Sequence, residues 1–273
     1  MTEDYLKQTR QQGAATLPPV GSVGLFTAGL TPVSDSFGQV GESMEAAVNR
    51  LRSRLKLLLA GRILQLVFNG NASNLKVATT IKSNSGNGVS SNFSSRGALE
   101  TAQISPAIST TAQALAPGAE IQVEVRNDEN NDLYIGVLVI GSNGDIVVLY
   151  PANWDAPEAT ALVAPGQSLI VPPPNDDFHF VVQGPSGFIE LLVLASTEPL
   201  REALRGLQQI ARGRGTRSGT PLPLEEDEPV EVMETLLADL DRNARTGTAL
   251  PRGIRGVDTT KLAAISAMIQ VVE

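Results

Sequence analysis

From Glu120 to Ser196 the chain runs without a break as short apolar segments separated by turn-forming residues, and this stretch limits the fold more than any other. It reads IQVEVRN, NDENND, LYIGVLVIG, SNGD, IVVLYP, a Pro-rich loop, SLIVPPP, FHFVVQ, GPSG and FIELLVLAS. Apolar runs bounded by Gly, Pro, Asn and Asp are strands. The connections are mostly too short for the crossover helix of about a dozen residues that parallel pairing requires, so the spacing predicts antiparallel hairpins. Ser142-Asn143-Gly144-Asp145 supplies an Asn-Gly pair that tolerates the positive φ angles of a tight hairpin, and Gly184-Pro185-Ser186-Gly187 predicts a further turn. Ile121, Val123 and Val125 alternate with Gln122, Glu124 and Arg126, which gives one buried face and one wet face. The segments from Leu133 to Ile140 and from Phe188 to Leu194 are apolar on both faces. They need cover on two sides, from a second sheet or from helices.

Composition excludes several classes. With 273 residues and 42% hydrophobic content the chain has ample material for a core. A net charge of −8 argues against a general nucleic-acid binder, which must neutralise phosphates with Lys and Arg. Cysteine is absent, so the chain has no disulfide, thiolate nucleophile or thiolate metal site. No apolar run reaches the length of a membrane span, and the polar start MTEDYLKQTRQQ lacks a signal-peptide core. The expectation is a soluble, cytoplasmic protein without nucleic-acid or membrane partners.

Around the central stretch the periodicity predicts helices and a few more strands. From Ser43 onward Met44, Ala47, Val48, Leu51, Leu55, Leu58, Leu59 and Leu66 recur at three- and four-residue steps, and this face is expected to be buried. Arg50, Arg52, Arg54 and Lys56 are read as a basic stripe opposite, either a solvated face or a contact for an acidic partner. Leu75, Val77, Thr79 and Ile81 alternate as a strand, and the low-complexity run from 83 to 97 is expected to be a loop. Thr197 is the expected N-cap of a helix carrying Leu200, Leu204, Leu207 and Ile210. RGRGTRSGTPLPLEEDE reads as an exposed linker. A helix with Val232, Leu236, Leu237 and Leu240 on one face follows, and a strand from about Ala263 ends the chain. This gives an N-terminal segment over 1–115, a β-sandwich core with its following helix over 116–212, a linker over 213–228, and a C-terminal helix and strand over 229–273 that pack back on the core.

Few residues suggest chemistry. His179, the one histidine, sits between Phe178 and Phe180, and no Gly-x-Ser-x-Gly elbow supplies a nucleophile for it. A structural role is the better reading. Asp128, Asn130 and Asp132 have the one-three-five spacing of a calcium loop, but Leu133 stands where its Gly belongs and Val139 where its Glu belongs. An acidic hairpin turn accounts for them. Gly213-Arg214-Gly215 lies in the linker, so no phosphate-binding loop is present. Trp154, in the loop PANWDAPEAT, is either a partner-binding anchor or a lid on the core. No catalytic, cofactor or metal site is assigned.

Two stretches resemble the non-catalytic C-terminal region of bacterial caspase-like peptidases, the orthocaspases of cyanobacteria. One is LFTAGLTPVSDSFGQVGESMEAAVNRLRSRLKLLLAGRIL, similar to the segment after the catalytic domain in those proteins. The other is the core, through Asn127, Leu133-Tyr134, Gly144, Leu149-Tyr150-Pro151, Pro165-Gly166, Gly184-Pro185, Gly187 and Ala195-Ser196-Thr197-Glu198-Pro199-Leu200, similar to their β-sandwich domain of unknown function. With the tail, the likeness covers most of residues 24–272. The family's catalytic His and Cys have no counterpart here, and the segment ahead of Leu25 is too short for their domain, so no catalytic residue carries over. The expected fold is mainly β with helices (α+β), an antiparallel β-sandwich with packed amphipathic helices. The resemblance implies a non-enzymatic accessory or interaction module with a protein partner, a caspase-like peptidase among the candidates. The alternative is a small-ligand or glycan-binding sandwich, and a hydrolase using His179 is the least favoured. Candidate contact residues are Arg50, Arg52, Arg54, Lys56 and Trp154. Because orthocaspases prefer to cut after basic residues, Arg212, Arg214 and Arg217 are candidate processing sites.

Overall fold

The computed structural model describes residues 18–26, 32, 36–67, 73–83, 90–95, 113–141, 145–154, 161–174, 178–184, 187–225, 227–245, 258 and 260–272. Within them two sheets face each other and three helices flank one of the sheets. In chain order the elements are α1 (Met44–Val67), β1 (Val77–Ser83), β2 (Ser90–Ser94), β3 (Gln113–Leu115), β4 (Glu120–Asn127), β5 (Leu133–Ile140) and β6 (Ile146–Tyr150). Then come β7 (Leu162–Val163), β8 (Ser168–Val171), β9 (Phe180–Val181), β10 (Gly187–Ser196), α2 (Arg201–Gly213), β11 (Leu222–Leu224), α3 (Glu228–Arg245) and β12 (Leu262–Val271).

The smaller sheet has the order β2-β1-β4-β8, with β9 also on β4. The larger runs β11-β6-β5-β10-β12-β3, with β7 on β5. All pairings are antiparallel except β12 with β3, where Ile269 is aligned with Gln113. Strict alternation builds the inner walls. Val77, Ile81, Ile121, Val123 and Val125 face Leu133, Ile135, Val137, Leu191 and Val193 across one core. The two-faced strands find their second cover as expected: Leu138, Leu192 and Leu194 turn outward into another core under α2 and α3. A mainly β sandwich with packed helices is therefore the fold.

Several boundaries differ from the sequence reading. β1 pairs with β4 over seven residues, and β12 pairs with β10 over ten, so strands outside 116–212 sit inside the sheets rather than beside them. The run from 83 to 97 is not all loop, because Ser90–Ser94 forms a strand on β1. Ser, Asn and Phe suffice at an edge where one neighbour supplies the ladder. Around Gly184 the chain does not return to an adjacent strand; it crosses from β9 in one sheet to β10 in the other. Residues 213–228 are no linker either, since β11 adds to the edge of β6 with Leu222 and Leu224 buried.

Local polar groups explain several turns. Asn127, fully buried, donates through Nδ2 to the carbonyls of Asn131 (2.9 Å) and Val163 (2.8 Å), and its Oδ1 accepts from the Glu129 amide. It thereby holds the β4–β5 turn and the strand β7 together. The start of α2 has no cap from Thr197 or from Leu200. Its amides at Glu202 and Ala203 donate instead to Oδ2 of Asp239 on α3, at 2.8 and 3.0 Å.

Candidate interaction surface

α1 packs against α3, and the apolar face that the periodicity suggested is buried only in part. Ala47, Leu51 and Ala60 are buried, whereas Met44, Val48, Leu55, Leu58 and Leu59 are 67%, 49%, 44%, 41% and 54% exposed. The side chain of Leu66 lies outside the described residues. The exposed residues follow i, i+4, i+11, i+14 and i+15 spacing from Met44, which keeps them on one side of a helix with 3.6 residues per turn; Leu51, at i+7, falls on that side too but is buried, so the exposed row has two parts, Met44 with Val48 and Leu55 with Leu58 and Leu59. Among the described side chains of α1, Ala60 joins the core beneath α2 and α3, and it points elsewhere. The reason the expectation failed is the composition LKLLLA: with leucines in three adjacent positions, more than one face is apolar and periodicity alone does not choose between them.

The four basic residues do not form a stripe. Positions two apart on a helix point to different sides, and each of these has its own surroundings. Arg50 forms two bonds to Glu42, Nε to Oε1 at 2.9 Å and Nη2 to Oε2 at 2.7 Å, and also donates to the carbonyls of Ser36 and Val23. This pairing pulls the Glu42 carboxyl below its ordinary range. Arg50 thus straps Val23, Ser36 and Glu42 to the helix, and a side chain at Gly38 would collide with the pair, its Cβ falling 2.1 Å from Glu42 Oε2. Lys56 is paired with Asp227 ahead of α3. Arg54 is part-buried, with Nε and Nη2 shielded from solvent and without a hydrogen-bond partner among the described residues. Arg52 is exposed and bonds Asn49 at 3.0 Å. Four residues after Val48 and three before Leu55, it borders the apolar stripe.

Trp154 is 1% exposed and belongs to the core under the helices, so it offers no surface for a partner. Its indole N–H donates to the carbonyl of Thr220 at 3.2 Å, which pins the segment that the sequence reading took for a linker. The arginines of that segment differ in access. Arg212 is on the last turn of α2 and donates to the Trp154 carbonyl; Arg214 bonds the carbonyl of Pro223 at 2.7 Å and pairs with Glu228 and Glu225. Arg217 is exposed between α2 and β11. Arg212 and Arg214 are exposed, but the first is helical and the second turned, so the extended backbone that a protease requires is not present at either.

His179 is a surface residue rather than a core one, with 63% of its side chain exposed and Nδ1 4.0 Å from Glu120 Oε2. In the acidic turn, Asp128 takes two bonds from Arg126 and Glu129 accepts from the Lys76 amide. These carboxylates hold strand ends. What the sequence reading missed was the exposure of Met44, Val48, Leu55, Leu58 and Leu59, because periodicity names an apolar face without saying what covers it.

Residues 114–199 match the model of a domain of unknown function, DUF4384. The match runs from β3 through β10 to the approach of α2, and leaves α1, β1, β2, α2, β11, α3 and β12 outside it. No curated protein and no solved structure matches the chain.

Proposed function

We propose that this chain is a non-enzymatic interaction module that docks a protein partner through the outward face of α1, as an accessory part of a caspase-like peptidase system. The observation that carries the reading is the row of exposed apolar side chains at Met44, Val48, Leu55 and Leu59, bordered by Arg52. Exposed apolar groups clustered on one side mark contact sites, and anchors at helical spacing accept a partner helix or groove. A chain of net charge −8 that places an unburied Arg beside its apolar stripe suits a partner that is apolar at the centre and acidic at the rim. The partner favoured by the sequence resemblance is the catalytic domain of a caspase-like peptidase.

The test mixes the purified chain with such a catalytic domain and follows complex formation by sedimentation velocity. Leu55→Asp/Leu59→Asp is expected to weaken the complex by about thirtyfold or more, the scale of one interface hot spot, with the thermal midpoint of the free chain unchanged. Absence of a complex, or a complex indifferent to the double variant, overturns the reading. A double variant that no longer folds shows that the face belongs to the core.

A further inference from the structure

A separate feature lies on the helix-covered face of the larger sheet, away from the exposed stripe of α1. β5 is central there, with β6 on one side and β10 on the other. A glycine inside such a strand costs stability and marks a place where something else approaches the backbone. Gly136 is that glycine. It aligns with Leu194 on β10, but β6 reaches only Tyr150, opposite Val137, and the register shifts by a residue beside it. A Cβ built at Gly136 meets nothing closer than Leu194 Cβ at 3.8 Å, and the residue stays part-exposed in mid-strand. The missing side chain and the early end of β6 leave an apolar cavity of about 70 Å³ beneath α2 and α3, bounded by Leu207 and Met233 among others. Among the described residues, Tyr134 and Tyr150 are the sole polar side chains of its lining.

We infer that this cavity is a binding site for the end of a small aliphatic chain, its polar head left outside the apolar lining. A recess whose lining is almost wholly apolar holds water poorly and takes apolar guests, as an enclosed apolar cavity of about 150 Å³ takes benzene. Roughly half that volume admits a few carbons and no ring with substituents. A glycan is a poor occupant, because its hydroxyls would find two partners at most. The site owes nothing to α1, so it stands or falls independently of the interaction surface.

The test uses the four methionines. In protein labelled at the methionine ε-methyl carbon, Met233 reports on the cavity, while Met44 and Met268, 67% and 48% exposed, serve as controls. Titration with 1-alkanols from ethanol to octanol is expected to shift the Met233 signal saturably and leave the controls in place. The dissociation constant should tighten about fourfold for each methylene that enters, then level off once the cavity is full. Gly136→Val should abolish the saturable shift, and Leu55→Asp/Leu59→Asp should leave it intact. Should the valine not fold, Gly136→Ala, for which the backbone has room, should weaken binding by the same rule. An unmoved Met233, a titration without dependence on chain length, or unchanged binding in the folded Gly136 variants each overturns the inference.

Discussion

At the scale of single residues, Asp239 shows how a buried charge can be both structural and costly. It is 2% exposed, and burial raises its carboxyl above the ordinary range against the opposing pull of the Ala203 and Glu202 amides and of Arg242. Its oxygen is nevertheless the cap of α2. Asp239→Ala leaves two helix-terminal N–H groups without an acceptor and should cost about 1–3 kcal/mol in chemical denaturation. Asp239→Asn keeps an acceptor and removes the charge. A carboxyl whose folded pKa lies above its unfolded value binds more protons when folded, so its contribution falls as pH rises from the unfolded value of about 3.9 through the raised folded one. Above that window the penalty is constant. The thermal midpoint of Asp239→Asn should therefore gain on the parent as pH rises from 4 to the neutral range and converge with it at the acid end; a fixed difference across pH would mean that burial does not govern this carboxyl. No reading of the sequence finds this cap, because Asp239 stands on another helix and nothing local to Glu202 announces it.

Elements show which physical signals survive in a sequence and which do not. Strands with one buried face were legible, since alternation at Ile121, Val123 and Val125 maps directly to exposure. Two-faced β5 and β10 were legible as needing double cover. The short edge strand β11 was not, because Pro223 at its centre argues against a strand until one sees that it lies on an edge, flanked by buried Leu222 and Leu224. The orientation of α1 was not legible either, and a pair of substitutions checks it. Leu51→Ala, at a position 7% exposed, should lower stability by about 2 kcal/mol. Leu55→Asp should change it by no more than about 0.5 kcal/mol, and equal losses would reverse the assignment. The segment from Arg212 to Leu224 yields a kinetic contrast. Limited trypsin digestion, mapped by mass, should cut after Arg217 well before Arg214, whose guanidinium is held by Pro223 and Glu228. Faster cutting after Arg214 would mean that those contacts do not persist.

For the whole molecule, the question is whether the matched region 114–199 is a folding unit by itself. The strand order says it is not. β10 is bonded along its full length to β12, which brings Leu262, Ile265, Ile269 and Val271 into the two cores. β4 is bonded along seven residues to β1, which brings Val77 and Ile81. Burial of a large aliphatic side chain contributes about 1.5 kcal/mol or more. Losing the four from β12 alone removes about 6 kcal/mol, a large share of the roughly 5–15 kcal/mol that a domain has. It also bares the backbone of β10, whose Ile189 to Ala195 would form an apolar edge open to self-association. A fragment of residues 114–199 is thus expected to lack a cooperative thermal transition by circular dichroism and to aggregate. The full chain should unfold with one transition seen alike by Trp154 fluorescence and by far-ultraviolet dichroism, since Trp154 lies on β6's side of the sheet and β12 at the other. A cooperatively folding 114–199 fragment would show that the ladders from β1 and β12 are accessory, and that the matched region carries the stability of the sandwich alone.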